Sequence, residues 1–255
     1  MHKVGRKKII YLLTISLCIL FYLERLWMID FYLLETDIVL IPLYDFSPFL
    51  FKLMNYSLIL GLVISLFYYH SILFILLTLL NSLSLISFQY GADSFFYLAV
   101  FSYIFINPDE KKISFKSFLG FFILISQLSI IFTFNSLAKI QDEFWVNGKV
   151  MMTIFPDITH HIALLWGNHP IFLYQILTLF IIGIQLLSLL LFVKKFRKIF
   201  CYLLISMHLV ITLFLHPYFG LICIFILLNV SCFSENMLKK LAEELDLRYI
   251  QLKKT

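Results

Sequence analysis

The run from Leu53 to Phe88 contains no Asp, Glu, Lys or Arg. As one helix it would measure about 54 Å at about 1.5 Å per residue, nearly twice the roughly 30 Å of hydrocarbon in a bilayer. It must therefore fold back on itself, and Tyr68, Tyr69 and His70 supply the polar break. The rest of the chain cannot shelter such a run from water, because 62% of the 255 residues are hydrophobic and only 14% are charged. Soluble domains are roughly half apolar. The chain belongs in a bilayer, where each backbone amide must be satisfied within a helix or a closed barrel. The short alternating segments of a barrel are absent. The fold class that follows is all-α, a polytopic integral membrane helical bundle.

A bilayer needs roughly 20 helical residues per crossing. That ruler predicts eight spans, near 9–29, 51–69, 71–89, 94–107, 118–137, 170–193, 199–216 and 218–233, with Pro217 marking a tight return before the last. The first run exceeds the roughly 7–15 apolar residues of a signal peptide and has no small-residue cleavage site after it, so it reads as a span.

Charge tests the count independently, because cytoplasmic segments are enriched in Lys and Arg. With eight spans and both termini in the cytoplasm, the inner segments hold Lys3, Arg6, Lys7 and Lys8; Lys111, Lys112 and Lys116; Lys194, Lys195, Arg197 and Lys198; and Lys239, Lys240, Arg248, Lys253 and Lys254. Only Arg25, Lys52, Lys139 and Lys149 fall at outer span ends or in outer loops. An odd number of spans breaks this partition, and the pattern places the protein in a cell membrane. The net charge of +5 is spread over short blocks, a topology signal and not a nucleic-acid surface.

Residues 1–235 form the transmembrane domain. Residues 236–255 form a cytoplasmic tail in which Leu238, Leu241, Leu245 and Tyr249 recur at helical spacing, an amphipathic helix for the membrane or a partner, with Ser234 as its N-cap. Cys18, Cys201, Cys223 and Cys232 lie in or beside apolar spans without a paired spacing and read as packing residues.

Two outer loops remain for chemistry. One, at about 30–50, carries Asp30, Glu35, Asp37 and Asp45; the other, 138–169, carries Lys139, Asp142, Glu143, Trp145, Asp157, His160, His161, Trp166 and His169. Two readings of Lys139 stand side by side. It either snorkels to the headgroups or, held in a partly dry site, presents a free amine as a general base. Gln127, Thr133, Asn135 and Ser136 make the outer half of its span polar for a lipid-facing helix, which favours a cavity. His208, inside the seventh span, is either a packed histidine or a proton-handling group. The adjacent His160 and His161 do not share a helical face, so no metal is expected. Trp27, Trp145 and Trp166 suit an aromatic belt, and Glu24 beside Arg25 suits a local ion pair or interfacial anchoring.

Gln127, Lys139 twelve residues later, and then Trp145 and Gly148 as W-x-x-G resemble the pattern of the HTTM family, the horizontally transferred transmembrane domain shared with vitamin K-dependent γ-carboxylase. Y-G-A-D-S-F-F-Y-L-A-V-F at 90–101 is similar to that family's G-G-D-type span start, and M-H-L-V-I-T-L-F at 207–214 to its histidine-bearing late span. Size suggests the compact bacterial SdpB-like branch. The Lys-to-Trp interval is one residue longer here than in the carboxylase, Phe132 stands where a tyrosine is common, and the carboxylase's luminal domain is missing.

The resemblance implies an extracytoplasmic Lys139 acting as base on a reduced quinone or a secreted peptide in a carboxylase- or oxygenase-like enzyme. It implies His208 as a second polar group, and Gln127, Asn135 and Trp145 as cofactor-binding or orienting residues. A non-enzymatic scaffold or maturation partner for a secreted peptide stays open, as does a transporter.

Overall fold

The computed structural model describes residues 5–27, 48–85, 91–110, 112–154, 171–214, 217–233 and 242. Every regular element among them is helical: α1 (Arg6–Trp27), α2 (Pro48–Phe67), α3 (Ser71–Leu85), α4 (Gly91–Ser102), α5 (Phe115–Gln141), α6 (Glu143–Val146), α7 (Lys149–Ile154), α8 (Ile171–Leu186), a 3-10 segment (Leu187–Phe192), α9 (Lys194–Phe214) and α10 (Pro217–Ser231). Five stretches are long and apolar enough to cross a membrane: Arg6–Trp27, Phe49–Phe67, Phe115–Gln141, Ile171–Phe192 and Lys194–Leu213. The long uncharged run does break at Tyr68 to His70, where α2 stops at Phe67 and α3 begins at Ser71. Pro48 and Pro217 open α2 and α10 in the first helical position, where the missing N–H costs nothing.

The expected span at 94–107 differs. Its helix, α4, has 12 residues, about 18 Å at about 1.5 Å each, and ends at Ser102. The chain then turns: Ser117 Oγ donates to the Phe105 carbonyl at 3.3 Å and accepts from the Asn107 amide at 3.4 Å. Tyr103 and Ile106 are buried, so the apolar residues past Ser102 pack against protein instead of extending a crossing. The tail 236–255, save Ala242, and most of the loop at 30–50 lie outside the described residues.

The chain divides into two compact units: residues 1–124 with 218–233, and 125–217 with 234–255, so that α5 contributes its first part to one and its remainder to the other. In the first unit, α1 buries a stripe of Tyr11, Ile15, Cys18, Tyr22 and Arg25 at three- to four-residue spacing. The Tyr11 hydroxyl donates to the Ser65 carbonyl of α2, and its ring meets those of Tyr69, Phe74 and Tyr103 edge-on. Phe21 stacks on Phe96 of α4 at 3.8 Å, and Phe121 of α5 stacks on Phe233 at 4.9 Å. The second unit packs the C-terminal part of α5 against α8 and the 3-10 segment, and it carries Lys139.

Candidate functional site

The buried face of α5 in the second unit carries Ser129, Phe132 and Ser136 at helical intervals and leads to the half-buried Lys139. Ser129 Oγ donates to the Ser188 carbonyl at 3.1 Å, and Ser188 Oγ returns a bond to the Ser129 carbonyl at 3.3 Å. Two turns further, Ser136 Oγ donates to the Phe132 carbonyl at 2.9 Å and reaches the Ile182 carbonyl at 3.3 Å and Gln185 Oε1 at 3.5 Å. These bonds satisfy each hydroxyl in surroundings where an unmade one would be costly.

The stripe ends at the lysine. Lys139 Nζ donates to Gln185 Oε1 at 2.9 Å, and the Gln185 Nε2 donates in turn to Met207 Sδ of α9 at 3.7 Å. Gln185 is only 5% exposed, whereas Lys139 is half-buried. The helix stops two residues later, and Asp142 Oδ1 caps α6 by accepting the Phe144 amide at 2.9 Å. That tight reversal sets the Trp145 ring 4.5 Å from Lys139 Nζ, a cation–π contact.

Gly148 explains the remainder of W-x-x-G. Its φ of +73° suits glycine, and a Cβ there would lie 2.6 Å from the Gln175 amide nitrogen and 2.7 Å from the Tyr174 carbonyl carbon. The chain can pass α8 at this distance only without a side chain. Beyond it, Val150 and Met151 of α7 form an apolar cluster with Tyr174, and Trp145 packs against that cluster.

His208 is buried on α9 beside the Gln185 contact. Its Nδ1 donates to the Leu204 carbonyl at 2.7 Å, its ring lies 5.5 Å from that of Phe132, and the Lys139 charge is within electrostatic reach. The structure thus brings Lys139, Trp145 and His208 into one neighbourhood. It places Gln127 and Asn135 elsewhere: both are exposed on the outer face of α5, and the amide that accepts from Lys139 is Gln185. The difference is one of helical phase, since Ser136 and not Asn135 shares the buried stripe. His160, His161, His169, Asp157 and Trp166 lie outside the described residues.

The first unit holds a separate charge site. Arg25 Nη1 lies 3.7 Å from Asp93 Oδ1, both side chains almost fully buried, with the guanidinium 5.2 Å from the Phe51 ring and 5.8 Å from that of Tyr22. Arg25 stands in the last turn of α1 and Asp93 in the first turn of α4, each at the helix end that favours its sign. The carboxylate facing Arg25 is this aspartate of Y-G-A-D and not the neighbouring Glu24.

Compared with protein-family models, with curated proteins and with solved structures, the chain matches none.

Proposed function

We propose that the chain is an eight-span membrane protein of the HTTM type, with both termini in the cytoplasm, in which Lys139 acts at the outer face as a base toward a weak O–H acid such as a lipid-soluble quinol, or toward a secreted peptide. The observation that supports this reading is the setting of Lys139. Its nitrogen is held between a buried neutral amide, Gln185, and an aromatic face, Trp145, at the end of a polar stripe in an otherwise apolar helix. A lysine that merely snorkels needs neither partner. In this reading Gln185 orients the amine and His208 is the second polar group of the site.

The test is quinol-dependent oxygen uptake by membranes carrying the full chain, given a reduced naphthoquinone. Uptake that Lys139→Ala abolishes, with as much protein inserted, is the expected result. A Lys139→Ala chain with the full rate refutes the role of the lysine. A wild-type chain without uptake removes the quinol and leaves the scaffold reading, in which a partner co-purifies with Lys139→Ala and is lost on deleting 236–255.

A further inference from the structure

Gln127 stands on the wrong side of α5 to serve Lys139. It precedes Ser136 by nine residues, two and a half turns at about 3.6 residues per turn, so it points directly away from the stripe of Ser129, Phe132 and Ser136. Its side chain is exposed and, among the described residues, makes no hydrogen bond.

Depth makes that exposure costly. α5 is long and apolar enough to cross a membrane, and Gln127 lies eleven residues after Lys116 and twelve before Lys139. At about 1.5 Å per residue the two lysines are roughly 17 Å and 18 Å away along the axis. With both at the headgroups, Gln127 sits at the middle of a hydrocarbon layer of about 30 Å, where no glutamine side chain reaches water and an unmade amide hydrogen bond is penalised heavily.

Exposed polar groups on other spans have local outlets. Ser57 Oγ donates to the Leu53 carbonyl and Ser206 Oγ to the Leu203 carbonyl, each at 2.8 Å within its own helix. Asn135 is only four residues from Lys139, about 6 Å along the axis, and shares its access to the headgroups. Gln127 has neither outlet.

The residues that follow it fit another helix. Gln127, Ile130, Phe134, Leu137 and Gln141 are all exposed and succeed one another at alternating three- and four-residue intervals, the repeat of a two-helix seam. A single polar residue in such a seam fixes register and partner number.

A second copy of the chain meets every requirement. Two copies inserted in the same direction pair about a two-fold axis along the membrane normal, so a residue on the seam faces its own counterpart at its own depth. A primary amide both donates and accepts, so two Gln127 side chains can exchange two hydrogen bonds. A different protein would have to bring its own polar group to the midplane. We propose that the outward face of α5 is a homodimer interface, closed at the bilayer midplane by reciprocal hydrogen bonds between the Gln127 amides, with Ile130, Phe134 and Leu137 packing along the seam.

The test counts copies of the full chain, carrying a C-terminal fluorophore, by single-molecule photobleaching in liposomes of zwitterionic lipid over a series of protein-to-lipid ratios. Two-step bleaching that gives way to one step on dilution is expected. Gln127→Leu should need at least about ten-fold more protein per lipid to pair, the value of two interhelical hydrogen bonds in a bilayer, and Gln127→Asn, which keeps the amide, should fall between. One-step bleaching of the wild type at every ratio, equal pairing by Gln127→Leu, or a Gln127→Asn chain as weak as Gln127→Leu overturns the proposal. The face is checked by replacing Phe134, or Leu79 on α3 as the comparison, with p-benzoylphenylalanine in cells that express two differently tagged copies. Light should join the two tags from position 134 and not from 79; adducts of 134 with lipid alone or with another protein, or joined tags from 79 alone, overturn the assignment. Because Gln127 has no partner within its own described chain, Gln127→Leu should unfold in dodecyl sulfate like the wild-type monomer. A destabilised monomer would reveal an internal partner for the amide and also overturns the proposal.

Discussion

Gly148→Ala perturbs the turn that sets Trp145 over Lys139. Two costs add. A left-handed conformation disfavours an L-residue by roughly 1–2 kcal/mol. The new Cβ would also stand 2.6 Å from one backbone atom of α8 and 2.7 Å from another, neither of which can rotate away as a side-chain tip would. Forcing such an approach costs about 1–3 kcal/mol more, for a total of roughly 2–5 kcal/mol. The control is Gly183→Ala on the same helix. A Cβ there meets nothing within 4 Å, so replacing a helical glycine should leave stability unchanged or raise it by about 0.5–1 kcal/mol. Both variants can be followed by unfolding in mixed micelles with increasing dodecyl sulfate, with Trp27→Phe and Trp166→Phe leaving Trp145 as the sole tryptophan so that its fluorescence reports the turn. Loss of stability in Gly148→Ala with a shift in Trp145 emission is expected. A Gly148→Ala protein within about 0.5 kcal/mol of the parent, the scatter of an ordinary surface change, would refute the close approach of the turn to α8.

Three further outcomes follow from other contacts. Arg25→Met or Asp93→Leu alone breaks the buried Arg25–Asp93 pair and should cost about 3–5 kcal/mol, while the double variant recovers most of it; a double variant as unstable as the worse single would show that the pair is not coupled. Gln185→Leu removes the acceptor from Lys139 and should speed amine-reactive labelling of Lys139 relative to Lys149, measured by peptide mass spectrometry; an unchanged ratio contradicts the 2.9 Å bond. Partial burial pushes the Glu110 carboxyl up, but hydrogen bonds from Ser117 and Ser114, with the charge of Lys7, outweigh it and hold the group below its usual range. Its contribution to stability is therefore complete above the unfolded-state value of about 4.3 and is lost as pH falls through the lower folded value. The stability difference between wild type and Glu110→Gln should shrink on acidification across that window, and a constant difference would contradict the bonds.

Much of the fold was legible because hydropathy acts locally. The fold-back at Tyr68 to His70 and the break at Pro217 before α10 follow from length and backbone chemistry alone. The end of α4 was not legible, since Tyr103 and Ile106 are as apolar as lipid-facing residues and only tertiary packing shows that they are buried in protein. At the site, Lys139 and Trp145 are six residues apart, and their meeting is made by a local turn. Gln185 is 46 residues from Lys139, and nothing local distinguishes it from an amide that faces lipid, apart from its isolation among apolar neighbours in I-I-G-I-Q-L-L. Gln127 and Asn135 drew attention by proximity along the chain, but proximity does not fix which side of a helix faces a neighbour.

The 3-10 segment after α8 has a mechanical consequence. Arg197 secures it by donating from Nε to the Leu191 carbonyl at 2.7 Å and from Nη2 to the Phe192 carbonyl at 3.0 Å. The 16 residues of α8 rise about 24 Å, and the six of the 3-10 segment, at about 2.0 Å each, add about 12 Å where an α-helix would add about 9 Å. The element is thereby some 3 Å longer than its residue count implies, about half the roughly 5–6 Å by which a sterol-rich surface membrane is thicker than an internal one. A span too long for its bilayer is accommodated by tilting, kinking or local thickening of the lipid, and because α8 supplies Gln185, a change of its tilt would move the acceptor of Lys139.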